Sequence, residues 1–195
     1  MAKKESTLLN MIVSLMVITM VSGGVLGLVY NLTKPAIDMV EANKNISAIN
    51  EVLKTDKEIA EIKEVEIDGL TYNLAFSTDG SFIGAAIKTF STKGFNGKIE
   101  LMVGVLDNNN INKVSILSQA ETPGLGANMV NDKFKGQFNG KNPESFTLKV
   151  KKDGGDIDAL TAATISSRAV AEAVSKAVDG FIANKSQFLK GGNNE

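Results

Sequence analysis

The apolar positions of this chain fall into three regimes: an unbroken run, a set of alternations, and a late helical stripe. Leu8 to Tyr30 is about 23 residues without a charge, long enough to cross a hydrocarbon core of ~30 Å. Lys3 and Lys4 precede it. The positive-inside tendency keeps them cytoplasmic and puts everything after Lys34 on the outer face. The pattern predicts a cytoplasmic N-terminus over 1–7 and a transmembrane helix over 8–30. A cleaved signal peptide is the competing reading, since Gly23, Gly24 and Gly27 are small. The run is longer than a typical signal core and no Ala-x-Ala-like site follows cleanly, which favours an uncleaved anchor. Gly23 and Gly27 also have the spacing of a helix–helix contact, although Gly is frequent in membrane helices generally.

Pro35 marks the expected start of a membrane-proximal helical segment over 31–58. Ile37, Val40, Ile46, Ile49 and Val52 roughly keep its period. Ile59 to Ile67, apolar residues among acids and lysines, predicts a first strand. Leu70 to Phe76 and Phe82 to Phe90 predict a hairpin across Thr78-Asp79-Gly80-Ser81. Ser91 to Asn96 reads as a loop. A second hairpin is predicted from Ile99–Leu106 and Ile111–Leu117, turning at Asp107–Asn110. Phe146, Leu148 and Val150 alternate and predict one more short strand. Part of Ala127–Phe138 reads as helix. The last stripe, from Ala169 and Val170 through Phe181 and Ile182, recurs at i, i+3, i+4 and predicts a helix from Ile165 to about Leu189. Gly180 falls inside it, and 191–195 reads as a flexible tail. The fold class is α+β: one N-terminal transmembrane helix, then an extracytoplasmic domain over 59–190 with a mainly antiparallel sheet flanked by helices.

Composition narrows the chemistry. The chain of 195 residues has room for one domain and an anchor. Net charge is −1, which argues against nucleic acid as a partner. There is no Cys and no His. That removes disulfides, thiolate and imidazole catalysis, and the common zinc and haem ligands.

Two stretches carry candidate chemistry. Asp158-Ala-Leu-Thr-Ala-Ala-Thr-Ile-Ser-Ser-Arg168 runs into the start of the last helix. A helix start offers unpaired N–H groups and a positive dipole end, a natural phosphate seat. Small Ala162 and Ala163 would let a bulky ligand approach the backbone, and Thr161, Thr164, Ser166 and Ser167 supply hydroxyls. An ordinary capped helix is the plainer reading of the same residues. The second stretch, Glu121-Thr-Pro-Gly-Leu-Gly126, is an irregular loop leaving the second hairpin. On its own it is a strand-to-helix connection.

Together these residues resemble the FMN-binding domain family. Its usual signature is Asp-x-x-Ser/Thr-Gly-Ala-Thr followed by hydroxyl residues, and Ala162 stands where that family has Gly. In the family the last Thr carries FMN through a phosphoester, attached by a flavin transferase that takes FMN from FAD. The resemblance implies that Thr164 is the attachment site, with Asp158, Thr161 and Ala163 as its recognition context. It also implies that Glu121, Thr122, Gly124, Leu125 and Gly126 lie near the FMN. Thr161, Ser166 and Ser167 are rival hydroxyls that more simply cap or line the helix start, and Arg168, one turn after Thr164, is the first-choice cation for the phosphate. Lys93 and Lys98 are further candidate phosphate partners.

The likeness is to the membrane-bound members of the family, the G subunit of the Rnf complex and the C subunit of the sodium-translocating NADH:quinone reductase. The compact length favours the former. The function implied is a covalent-FMN electron carrier in a membrane-bound ion-translocating oxidoreductase. Electron transfer between ferredoxin and NAD would be coupled to sodium or proton transport. The implied partners are the other membrane and redox subunits, a flavin transferase and membrane lipid. The quinone-reducing complex, an FMN domain feeding an extracytoplasmic reductase, and a flavin-free anchored scaffold are the alternatives.

Overall fold

The structure is a computed structural model that describes residues 8–55 and 57–191. The expected 1–7 and most of the expected tail at 191–195 lie outside the described residues. The chain divides into two units, one up to Lys44 and one from Asn45 onward.

The first helix, α1 (Leu8–Val52), is 45 residues long and runs through Pro35. This corrects the expectation that Pro35 begins a separate segment. A proline inside a helix removes one N–H, here the one that would bond the Asn31 carbonyl. Two residues earlier, the Thr33 hydroxyl bonds back to the carbonyls of Val29 at 2.9 Å and Tyr30 at 3.2 Å. The helix contains a stretch apolar and long enough to cross a membrane, with none of that stretch buried in the protein.

The second unit is built on a five-stranded antiparallel meander in the order β1-β2-β3-β4-β5. The strands are β1 (Ile59–Ile67), β2 (Leu70–Ser77), β3 (Phe82–Gly94), β4 (Gly97–Leu106) and β5 (Ile111–Ser118). Each joins the next through a tight turn, as the Asp-Gly and Asn-rich connections predict. One correction concerns length. β3 runs on through Gly94, so the expected loop at 91–96 shrinks to the Phe95-Asn96 turn, closed by Gly94 opposite Gly97.

Side-chain alternation gives the sheet two faces. Tyr72, Leu74, Phe82, Ala85, Ile87, Leu101, Val103 and Val105 face the main core, covered by α3 (Thr164–Gly191). Gly180 does not interrupt α3. A methyl there would run into the Tyr72 hydroxyl and come to 3.1 Å of Leu70, so the missing side chain lets helix and sheet approach. Ala75, Ile83, Ala86, Met102 and Leu117 form a smaller cluster on the other face with Ala48, Val52 and Leu53 from the end of α1. Asn112 donates to the Val52 and Lys54 carbonyls at 2.7 and 3.1 Å, satisfying groups a helix end leaves open.

Between β5 and α3 the chain is mostly irregular, with a short helix α2 (Asp132–Lys135) between single 3-10 turns. The strand expected at Phe146–Val150 is absent. Val150 makes one isolated bridge to Ile157. The alternation there is real, since Leu148 and Val150 are buried, but it serves core packing and not a sheet.

Candidate flavin site

The site forms where three segments converge: the β3–β4 turn, the loop after β5, and the start of α3. The last begins with a tight turn in which the Ala163 N–H donates to the Leu160 carbonyl at 3.0 Å. The third residue of that turn, Ala162, has φ +57°, a backbone that favours Gly. Ser167 is fully buried and pins the turn from inside. Its hydroxyl accepts the Leu160 N–H and donates to the Ala163 carbonyl, both at 2.9 Å.

Ala163 precedes the first helical residue and has no side-chain oxygen to cap it. Among the described residues, the N–H groups of Thr164, Ile165 and Ser166 have no acceptor, and neither does the Thr164 hydroxyl. Free N–H groups at a helix start favour an anion by ~0.3–1 kcal/mol.

The loop after β5 folds around the Thr122 carbonyl, which accepts from Leu125 at 3.1 Å and Ala127 at 3.2 Å. Glu121 is buried. Its carboxylate accepts the Ser166 hydroxyl at 2.6 Å and the Asn96 N–H at 3.0 Å. A hollow of about 330 Å³ opens between these segments, within the range of small-ligand sites. Its floor is small (Gly126, Ala162, Ala163), its polar wall is Glu121, Thr122, Thr164 and Ser166, and its apolar wall is Phe95, Leu125 and Ile165. These last three are 66%, 42% and 49% exposed, so the hollow has an unpaired apolar rim.

The expected site residues therefore separate. Glu121, Thr122, Leu125, Gly126, Ala162, Ala163, Thr164 and Ser166 come together here. Asp158, Thr161 and Gly124 instead line a neighbouring polar hollow of about 500 Å³, with Lys133 and Gln137. Gln137 holds Asp158 in place by bonding both its N–H and its carbonyl, at 2.8 and 3.1 Å. Ser167 lines neither hollow.

The cations named as phosphate partners are engaged elsewhere. Arg168 grips Asp153 with two bonds of 2.7 and 2.6 Å, which holds the Asp153 carboxyl below its ordinary range and the guanidinium above its own. Lys93 bonds Glu172 at 2.5 Å and depresses that carboxyl as well. Lys98 pairs with Glu100. Among the described residues no Lys or Arg lines the hollow, so an anion at Thr164 is served by N–H groups and hydroxyls.

Phe95, Ile165 and the Asn96 N–H were missed by the sequence reading. Phe95 did carry a signal, as a bulky apolar residue in a two-residue turn where polar residues are the rule.

A family model described as the FMN-binding domain matches residues 94–179, which span the whole hollow. The G subunit of the proton-translocating ferredoxin:NAD(+) oxidoreductase complex of Clostridium ljungdahlii is 33% identical over 178 residues, covering 91% of this chain and 93% of the relative. The chain belongs to the FMN-binding domain family, among the G subunits of ion-translocating oxidoreductases. The G subunit of the ion-translocating oxidoreductase complex of Methanosarcina acetivorans is likewise 33% identical, covering 90% of this chain and 94% of its own. The fold is similar to that of the C subunit of the Na(+)-translocating NADH-quinone reductase of Parabacteroides distasonis. Its TM-score is 0.55 and its identity 20%, covering 80% of this chain and 96% of that one.

The residues present fit the cofactor this family is named for. A free hydroxyl and three free N–H groups suit a phosphate, Gly126, Ala162 and Ala163 leave room beside them, and the apolar rim suits a flat ring.

Proposed function

We propose that this chain is a covalent-FMN electron-carrier subunit of a membrane-bound ion-translocating oxidoreductase of the ferredoxin:NAD type. Its N-terminus lies in the cytoplasm, and the α+β unit lies on the outer face of the plasma membrane. The observation that carries the reading is Thr164. Its hydroxyl has no partner among the described residues, it heads α3 beside three free N–H groups, and it lines a hollow with an apolar rim.

That geometry supports attachment at Thr164. The Thr164 oxygen loses its proton and forms a bond to the FMN phosphorus of FAD. The pyrophosphate P–O bond breaks and AMP leaves, on a flavin transferase that docks over the hollow. The resulting diester stays anionic, and the N–H groups of α3 hold it. Asp158 and Thr161, facing the neighbouring hollow, present the recognition context to the transferase. Bound there, the flavin supplies reversible electron transfer; the protein holds it by its phosphate and fixes its surroundings. Electrons enter from and leave to partner subunits, since the chain has no Cys or His for a second redox centre. Likeness to the two G subunits at 33% identity favours this assignment over the quinone-reducing complex.

The test is the intact mass of the full chain made with a flavin transferase, with in-gel flavin fluorescence after denaturation, beside Thr164→Ala. The wild type gains one FMN less one water and fluoresces, and the variant does neither. An adduct that survives in Thr164→Ala moves the attachment to another hydroxyl, and an unmodified wild type ends the covalent reading.

A further inference from the structure

Glu121 is 5% exposed, and among the described residues no lysine or arginine is paired with it. A buried carboxylate is costly unless its lone pairs find donors. Here the donors come from two different segments. One oxygen takes the Asn96 N–H of the β3–β4 turn at 3.0 Å. The other takes the Ser166 hydroxyl in the first turn of α3 at 2.6 Å. The Glu121 N–H is itself fixed by the Gln119 side chain at 2.6 Å.

Two glycines make room for this arrangement. A methyl on Gly94 would come to 2.8 Å of one carboxylate oxygen, and one on Gly126 to 2.6 Å of the other and of the Ser166 hydroxyl. The segments joined by this carboxylate are the ones that carry Phe95 on one wall of the hollow and Thr164 on the other.

We infer that Glu121 is a positioning residue for the flavin. It clamps the Phe95 turn to the start of α3, and its uncompensated charge holds the flavin's reduction potential down. The inference rests on the reading of the hollow as the flavin seat. A reduced flavin is more negative than an oxidised one, so a carboxylate in the wall, shielded from water, disfavours reduction. Gln at this position can still accept from Asn96 and donate to Ser166, which keeps the clamp and deletes the charge. Ala deletes both, and Ser166→Ala frees only the helix side.

Two measurements on the full chain test this. The first is amide hydrogen exchange in a flavin-free Thr164→Ala background. Adding Glu121→Ala raises exchange at least tenfold at Asn96 and Ser167 while β2 and β4 keep their protection. Adding Ser166→Ala affects Ser167 alone, and Glu121→Gln changes neither. Unchanged exchange in Glu121→Ala, or a loss spread evenly over the sheet, overturns the clamp.

The second is a redox titration of flavin-loaded protein. Glu121→Gln raises the reduced-to-oxidised ratio at a fixed potential by up to roughly tenfold, about 30 mV for a two-electron couple. An unmoved potential overturns the electrostatic role. If the wild type carries no covalent flavin, the Thr164 reading fails by itself, and the exchange measurement still decides the clamp.

Discussion

At Ala162 the chain keeps a methyl where its own backbone favours none. The turn from Leu160 to Ala163 needs a positive φ at this residue, which has φ +57°. For a residue with a Cβ that conformation costs roughly 1–2 kcal/mol. Replacing it with Gly relieves the strain but gives the unfolded chain about 0.4–1 kcal/mol of extra freedom. Ala162→Gly is therefore expected to stabilise the protein by roughly 0.5–1 kcal/mol, read as a higher urea midpoint. It should attach flavin at least as fast as the wild type. The side chain is exposed, so no packing is lost to confuse the result. A lower midpoint would mean that the methyl makes a favourable contact the strain argument overlooks. Serines two and three places beyond Thr164 divide a different labour: Ser167 staples the turn from within, and Ser166 belongs to the Glu121 clamp. In sequence the three hydroxyls look interchangeable, and only their partners tell them apart.

Among the elements, α3 connects the site to the core, and Gly180 is where it comes closest to the sheet. Gly→Ala inside a helix ordinarily gains about 1 kcal/mol. Here the added methyl meets the Tyr72 hydroxyl and Leu70. Tyr72 is fully buried and packed against Phe188 with ring centres 5.0 Å apart, so it has little room to yield. Overpacking of this kind costs ~1–3 kcal/mol, and Gly180→Ala is expected to be net destabilising by about 1 kcal/mol, a lower urea midpoint in a fold that stays cooperative. A higher midpoint would mean the interface can open freely. This position also shows what a sequence conceals. Periodicity exposed α3, and alternation with turn chemistry exposed both hairpins, because those signals are local. It could not tell that Phe146, Leu148 and Val150 alternate against a core with no neighbouring strand to pair with. Nor could it tell that Arg168, one turn from Thr164, would be taken by Asp153. Pairing partners far along the chain leave no local trace.

For the molecule as a whole, the boundary between the two units falls inside one helix. Pro35 and the polar residues after it suggest a break, yet α1 continues to Val52. Its buried residues, Ala48 and Val52, both lie beyond Lys44, where the second unit begins. The last two turns of α1 are therefore part of the domain: they close the face of the sheet that α3 leaves open, and Gly104 has no Cβ because one would strike the Val52 carbonyl. Val52 and Leu53 are fully buried and Ala48 nearly so. Full burial of a Val or Leu side chain is worth roughly 1.5–3 kcal/mol, so losing this segment costs about 4–6 kcal/mol. That is a large share of the ~5–15 kcal/mol stability of a typical domain. Cutting the chain to 45–195 is expected to leave the urea midpoint of the α+β unit unchanged. Cutting to 55–195 should remove most of that stability, read as a lower urea midpoint, and expose Ala75, Met102 and Leu117 to solvent, with increased binding of an apolar dye. Equal midpoints for the two fragments would place the domain boundary after α1, and a drop already at 45–195 would mean the domain draws stability from residues before Asn45.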